Sequence, residues 1–502
     1  MKNNNFDIKE FGVLMHISSL PSKYGIGTFG IEAYKFVDFL NKIKAKYWEI
    51  LPLGVTSFGD SPYQSFSSVG LNYYFIDLDE LVKEGLLEKK EIHNKDFASD
   101  ENRVNYSLLF NNRIKILKKA FNRFNVKSKS FVEFVNKKTY HDFAFFMTLK
   151  EINDFKPWYE FSNEYKTYSK KLEERVIKEN YQLYLFYLFT QYEFLNQYNK
   201  LKKYANNKGI RIIGDMPIYV SYDSIEMYKN SDLFLVDDNN VPTLVSGCPP
   251  DEFSRDGQLW GNPIYNYEKM KENNYKWFSN RIKYNLSLFD FLRIDHFRGF
   301  SAYYAIPFGM KNARIGKWIS GPGIDIFKPF LNKPIIAEDL GFKDDKLVKL
   351  LEDTNYPGMK ILEFGFVGDN NEFSPENITY NFITFTGTHD NMTLLGFIKS
   401  LKKDGKIELI DGVKKSLDVF NISSKLSNDI EVANAIIELS FACNSKVNVL
   451  PIQDILLKDN DARMNTPSTL NGINWTYRIN KNDLTKDIID KFKNLVIKYK
   501  RG

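Results

Sequence analysis

The sequence predicts an α/β protein built on a closed (β/α)8 TIM barrel, with helical insertions at its C-terminal rim and no C-terminal β-domain. Three observations predict this. Eight short apolar runs bounded by turn residues recur along the 502 residues. Their near-continuous apolar character suits parallel strands covered on both faces, and segments of helical period lie between several of them. Carboxylates close several of the runs, and in such a barrel polar residues at C-terminal strand ends mark the active face.

The first two runs are Gly12-Val-Leu-Met-His-Ile and Tyr47-Trp-Glu-Ile-Leu-Pro-Leu-Gly. About 150 residues then pass before Ile210-Arg-Ile-Ile-Gly-Asp-Met-Pro-Ile, the third. Within that gap 107–124, 131–152 and roughly 169–207 have helical periodicity, and Gly209 ends the last of these directly before the strand. The next runs are Phe289-Asp-Phe-Leu-Arg-Ile-Asp, Pro334-Ile-Ile-Ala-Glu-Asp and Met359-Lys-Ile-Leu-Glu-Phe. Phe382-Ile-Thr-Phe-Thr-Gly-Thr-His-Asp and Val447-Asn-Val-Leu-Pro-Ile-Gln-Asp complete the set. Residues 1–502 are therefore expected to be one barrel domain, with 55–170 and 394–442 as inserted helical subdomains. The ~45 residues after the eighth run are too few for a β-sandwich domain of about 100.

Composition narrows the function classes. Hydrophobic residues are 43% and charged residues 26%, ordinary for a globular protein, while 16% aromatic leaves rings available for stacking. The net charge of +6 comes from 69 basic and 63 acidic residues, with Lys scattered among acids rather than gathered in a stripe. No nucleic-acid partner is expected from that pattern. Cys248 and Cys443 are the two cysteines, so neither a disulfide framework nor a zinc cluster is implied. Met1-Lys-Asn-Asn-Asn-Phe-Asp has no apolar signal core, and no apolar run approaches about 18 residues. A soluble, cytoplasmic protein without a membrane partner is expected.

Three carboxylates carry the chemistry. Asp295, in Phe-Leu-Arg-Ile-Asp-His-Phe-Arg-Gly, follows Arg293 by two positions, so on a strand both face the barrel mouth. A guanidinium there favours the ionised carboxylate that a nucleophile requires; the same pair could simply fix a strand end. Glu338, in Ile-Ile-Ala-Glu-Asp-Leu-Gly, is followed by Asp339, whose charge would raise its pKa as a general acid needs. It could equally cap the next helix. Asp390 follows His389 in Gly-Thr-His-Asp-Asn, a pair able to hold adjacent hydroxyls of one sugar ring. Of only five histidines, His296 and His389 each adjoin one of these aspartates. A serine hydrolase or metal site is set aside, since the chain lacks a Gly-x-Ser-x-Gly elbow and a His-Glu-x-x-His helix. Asp215 closes the third run and suits a hydrogen-bonding role at the mouth. Two carboxyl groups flanking one glycosidic bond suffice for retaining chemistry, and a third can orient the sugar.

These motifs, Gly-Asp-Met-Pro-Ile-Tyr-Val, Leu-Arg-Ile-Asp-His-Phe-Arg-Gly, Ala-Glu-Asp-Leu-Gly and Gly-Thr-His-Asp-Asn, resemble the ordered signatures of the 4-α-glucanotransferases, or amylomaltases, relatives of the α-amylases. Asp60-Ser-Pro-Tyr-Gln-Ser, Pro249-Pro-Asp-Glu-Phe-Ser, Gly257-Gln-Leu-Trp-Gly-Asn-Pro, Gly316-Lys-Trp-Ile-Ser-Gly-Pro-Gly and Arg463-Met-Asn-Thr-Pro match in the family's order, from about residue 12 to 478. The resemblance implies Asp295 as nucleophile, Glu338 as acid/base and Asp390 as transition-state stabiliser. Arg293, His296 and His389 would line the subsite of the sugar under attack. Ser61, Tyr63, Asp251, Gln258, Trp260, Asn465 and Pro467 would belong to the glucan groove or its rim. It also implies no organic cofactor and no catalytic metal. The implied partners are maltooligosaccharides, amylose or glycogen-derived α-1,4-glucans, with glucose as acceptor, bound by a monomer or homodimer. Residues 246–263 form a candidate lid, stiffened by Pro249-Pro250, hinged at Gly257 and Gly261, and carrying Trp260. An α-1,4-glucan hydrolase with the same carboxylates is the alternative enzyme. A non-catalytic glucan-binding barrel would be expected to lack one of them.

Overall fold

A computed structural model describes residues 9–250, 254–341, 343–368 and 371–502. Twelve strands occur among them: β1 Glu10–Leu14, β2 Tyr47–Glu49, β3 Arg211–Met216, β4 Leu244–Cys248, β5 Gln258–Pro263, β6 Phe291–Ile294, β7 Ala302–Pro307, β8 Lys317–Ser320, β9 Ile335–Ala337, β10 Gly358–Ile361, β11 Phe382–Phe385 and β12 Val447–Pro451. Eight form a parallel sheet in the order β10-β11-β12-β1-β2-β3-β6-β9. The Ala337 amide donates to the Pro357 carbonyl at 2.9 Å and joins β9 to the start of β10. That bond closes the ring as a (β/α)8 barrel, and its strands are the eight runs read from the sequence.

The strands are buried along almost their whole length, as strands covered on both faces must be. Gly12 is required where β1 meets β2, because a Cβ there would lie 2.8 Å from the Tyr47 Cβ. Helices Ile31–Lys42, Tyr181–Asn207, Lys276–Leu288, Asp345–Thr354, Asp429–Ala442 and Lys486–Lys498 pack around the barrel. Asp345–Thr354 shows why such segments are helical. It buries Leu347, Leu350 and Thr354 on one stripe, and its N-cap Asp344 accepts the Leu347 amide at 2.8 Å. The β6–β9 and β10–β11 connections carry only 3-10 turns as helix among their described residues, apart from the strands β7 and β8.

The long gap between β2 and β3 holds helices Tyr106–Arg123, Lys129–Asn136, His141–Ile152, Lys170–Glu179 and Tyr181–Asn207. Two of the three helical stretches read from periodicity are thus broken, the third at Asn180, whose backbone leaves the helical region at φ −120°, ψ 37°. Gly209 ends the long helix at φ +75°, as its sequence position suggests.

A second sheet has no signature in the sequence pattern. Strands β5-β4-β7-β8 form an antiparallel layer above the barrel rim. Its strands carry Gly247, Gly261 and Pro263, residues that mark turns in a sequence, and partners such as Ser246 and Ala305 are brought together only by the fold. The candidate lid therefore has two paired arms, Gly247 opposite Leu259 and Cys248 opposite Gln258, with a connection between them. Gly257 and Gly261 both have positive φ, 65° and 76°.

At the opposite end of the barrel, Arg211 Nη2 donates to both Glu10 carboxylate oxygens at 2.5 and 2.6 Å, and the Tyr47 hydroxyl donates to the same carboxylate. This is a strand-locking cluster at the barrel bottom, where structure rather than chemistry is concentrated.

Candidate active site

Strand ends at the C-terminal face converge on one charged cluster. Asp215 on β3 and Arg293 on β6 are register partners. Arg293 Nη1 donates to Asp215 Oδ2 at 2.7 Å, while its Nη2 lies 3.1 Å from Asp295 Oδ1, just beyond β6. One planar guanidinium thus holds two carboxylates, a fork that an ammonium cannot reproduce. The Tyr63 hydroxyl donates to Asp215 Oδ2 at 2.5 Å, and the other carboxylate oxygen, Oδ1, is buried without a protein partner among the described residues.

Glu338 follows β9 directly. Its Oε2 accepts the His296 amide at 2.7 Å and its Oε1 the Leu340 amide at 2.9 Å. The His296 backbone is left-handed, at φ 47°, which turns its N–H toward Glu338. A non-glycine residue there is uncommon, and such backbone is found where a site demands it. The Glu338 carbonyl in turn accepts the Phe297 amide at 2.9 Å, so the loops after β6 and β9 are stitched together on both sides of the carboxylate.

Burial pushes the Glu338 carboxyl above the usual carboxylate range. Arg293 and the two amides oppose that rise, and Asp339 adds to it. Burial also raises Asp295 well above that range; Arg293 opposes, and Asp215, Glu338 and Asp390 reinforce the rise. Arg293 favours the ionised carboxylate, as its spacing suggests, but burial and the neighbouring acids outweigh it, because one cation serves several acids. Both imidazoles shift the other way. Burial, with Arg298 nearby, lowers His296 to about 4, and burial lowers His389 against the pull of Asp390. Both rings are neutral hydrogen-bonding groups near pH 7.

Asp390 lies in the loop after β11 and its side chain is 48% exposed. Its Oδ1 accepts Asn465 Nδ2 at 2.7 Å and lies 3.5 Å from His389 Nε2. The His389 ring stacks on Tyr63, centroids 5.2 Å apart and planes 16° from parallel. Trp260 on β5 stands edge-on to His296 at 4.8 Å, 85° between planes, and its indole N–H donates to Gln258 Oε1 at 3.1 Å. Gln64 donates to the Trp260 carbonyl at 3.4 Å and to Asn262 Oδ1 at 3.2 Å, tying the rim loop after β2 to β5.

The structure thus gathers Asp215, Arg293, Asp295, Glu338, His296, His389, Asp390, Tyr63 and Asn465 through direct contacts, and joins Gln258 and Trp260 at the His296 edge. Ser61 turns inward on its own loop, its Oγ accepting the Tyr63 amide at 3.2 Å. Pro467 is half-buried two residues beyond Asn465. Asp251 lies outside the described residues.

Two further acids at strand ends lie outside the sequence motifs: Glu49, which ends β2, and Glu363, which follows β10. Both are buried, and burial raises Glu49 to about 8. Arg293 and Asp215 are the charges that act on Glu49, which places it beneath the same cluster. Its signal was its place in the second apolar run, where a carboxylate has no reason to be unless it faces the mouth. Arg463, which donates to the Asp390 carbonyl at 2.6 Å, was also missed as a contact.

Among the described residues no group of three or more His, Cys, Asp or Glu side chains is placed to hold a metal ion, and no helix is long and apolar enough to cross a membrane.

The chain is similar to known proteins along almost its whole length. A family model described as 4-alpha-glucanotransferase matches residues 15–485. A 4-alpha-glucanotransferase of Clostridium butyricum is 43% identical over 97% of this chain and 100% of its own length. One from Streptococcus pneumoniae is 41% identical over 98% of this chain and 97% of its own. The solved structure of an amylomaltase from Streptococcus agalactiae in complex with acarbose superposes with a TM-score of 0.92 at 40% identity, covering 98% of this chain and 100% of that one.

Proposed function

We propose, for a chain that belongs to the 4-alpha-glucanotransferase family, that Asp295, Glu338 and Asp390 divide the chemistry of glucan transfer among them. The activity is 4-α-glucanotransfer, by a retaining, covalent route on the barrel. Glu338 protonates the leaving glucosyl oxygen while Asp295 attacks the anomeric carbon, giving a glucosyl ester and a free 4-hydroxyl on the departing fragment. A second glucan then enters. Glu338 takes the proton of its 4-hydroxyl, that oxygen attacks the ester carbon, and Asp295 leaves as carboxylate. Two inversions restore the α configuration.

The observation that carries these assignments is the contrast between the two acids. Asp295 touches Arg293 directly at 3.1 Å. Among the described residues Glu338 makes no such ion pair, and it is held by two backbone amides. Desolvation raises both carboxyls, while Arg293 opposes that rise on each and the two amides oppose it on Glu338. In this reading the charge resides on Asp295, which touches the cation, and Glu338 carries the proton to the leaving oxygen. Asp390, whose side chain is half exposed, stabilises the developing oxocarbenium ion in this reading.

Maltooligosaccharides and longer α-1,4-glucans are the donors in this reading, with another glucan or glucose as acceptor. Residues 246–263, which carry Trp260 on β5, act in this reading as a lid that keeps water from the glucosyl ester.

The test is the product profile from maltotriose, with wild type beside Asp295→Asn. A ladder of longer maltooligosaccharides plus glucose, absent in the variant, is expected. Glucose and maltose without a ladder would make water the acceptor and the protein a hydrolase. A ladder from both proteins would show that Asp295 is not the nucleophile.

A further inference from the structure

Of the three carboxylates, Asp390 is the one least held by its own strand. Asp295 and Glu338 directly follow strands β6 and β9 and are held at the cluster, whereas Asp390 rides on a loop with a half-exposed side chain. We propose that Arg463 is a positioning residue for Asp390, acting with Asn465 as a clamp delivered from the far side of β12.

The geometry is a closed set of hydrogen bonds. Arg463 Nη2 donates to the Asp390 carbonyl at 2.6 Å, and Arg463 Nε donates to the Asn465 carbonyl at 2.6 Å. Asn465 Nδ2 donates to the Asp390 carboxylate at 2.7 Å, and the Asn465 amide donates to the His389 carbonyl at 3.1 Å. One guanidinium therefore fixes the backbone of Asp390 and the backbone of the residue that grips its carboxylate. These Arg463 bonds end on main-chain oxygens of the two site residues, not in the barrel core.

The clamp rests on a braced support. Asn474 Nδ2 donates to the carbonyls of Thr466 and Thr469 at 3.2 and 3.0 Å, while its Oδ1 accepts the Thr466 amide at 3.1 Å. The Trp475 amide donates to the Met464 carbonyl at 2.7 Å, closing the base of that loop. A carboxylate that stabilises a developing cation is effective only if it is in place before charge develops. Arg463 supplies that placement to a side chain which solvent would otherwise leave free to turn.

This inference rests on Asp390 being the transition-state carboxylate, and the experiment separates the two. Maltotriose kinetics are measured for Arg463→Ala, Arg463→Lys, Asp390→Asn and the double variant Arg463→Ala/Asp390→Asn. Arg463→Ala is expected to lower kcat on the order of 10²-fold, as a displaced catalytic group does, with KM changed by no more than about threefold. Arg463→Lys recovers only part, since an ammonium cannot span both carbonyls. In the Asp390→Asn background the loss of Arg463 costs less than about threefold further, because the group it positions is gone. Full kcat in Arg463→Ala, or an undiminished loss in the Asp390→Asn background, overturns the inference. An active Asp390→Asn protein overturns the reading of Asp390 itself, and this inference with it. Should Arg463→Ala fail to fold, Arg463→Met, which keeps the apolar stem and removes both donors, takes its place in the same cycle.

Discussion

Tyr63 and His389 lie face to face, 5.2 Å apart and 16° from parallel, joining the loop after β2 to the loop after β11 across the barrel mouth. The same Tyr63 donates its hydroxyl to Asp215 at 2.5 Å. The ring therefore has two separable duties. Tyr63→Phe keeps the stack and loses one hydrogen bond to a charged group, an expected cost of about 2 kcal/mol. Tyr63→Ala loses the stack as well, about 1 kcal/mol more for the ring pair before lost burial is counted. Urea unfolding of both variants separates the two; equal losses would show that the stack contributes nothing.

Arg293 bridges Asp215 and Asp295 with a side chain that is almost wholly buried. Removing one partner of a buried pair leaves uncompensated charge, so Arg293→Ala should destabilise by about 3–5 kcal/mol. Arg293→Lys should restore part of the stability, because a cation is again present. It should not restore kcat, which is expected to stay roughly 10²-fold low because one point charge cannot orient both acids. Parallel recovery of stability and kcat would refute the orienting role.

Glu49 gives stability a pH dependence of definite sign. Its folded pKa is about 8, raised by burial, against an ordinary carboxyl in the unfolded chain. Below the unfolded value, about 4.3, both states hold the proton and its contribution is fully present. As pH rises toward 8 only the unfolded chain releases the proton, so stability falls, by on the order of 3–5 kcal/mol once pH exceeds the folded value. Glu49→Gln should flatten this slope between pH 5 and 8. Identical slopes for variant and wild type would exclude Glu49 as the source.

Trp260 stands edge-on to His296 in the strand that forms one arm of the candidate lid. Trp260→Ala should raise the ratio of hydrolysis to transfer roughly tenfold, equivalent to about 1.4 kcal/mol between the two barriers. Glucose release and oligosaccharide formation measured in one reaction give the ratio directly. An unchanged ratio would count against water exclusion by this side chain.

The barrel was legible because its evidence is local. A parallel strand buried on both faces must be apolar along its length, and each of the eight runs had that character without reference to any other residue. The carboxylates were legible for the related reason that a charge ending an apolar run needs a purpose. Glu49 and Glu363 carried the same signal without a surrounding motif. The antiparallel sheet was not legible, because Gly247, Gly261 and Pro263 interrupt its strands and its pairing joins distant segments.

By itself, then, the sequence determined the barrel strands, the family and the acids that lie within its motifs, but not Glu49 or Glu363. The tertiary structure decided which of those acids touch. Tyr63 reaches Asp215, Asn465 reaches Asp390 and Trp260 meets His296 only after the chain has closed. The structure also decided charge, since pKa depends on burial and on neighbours from other strands. One arginine facing several buried carboxylates is a property of the folded mouth, and no stretch of the sequence contains it.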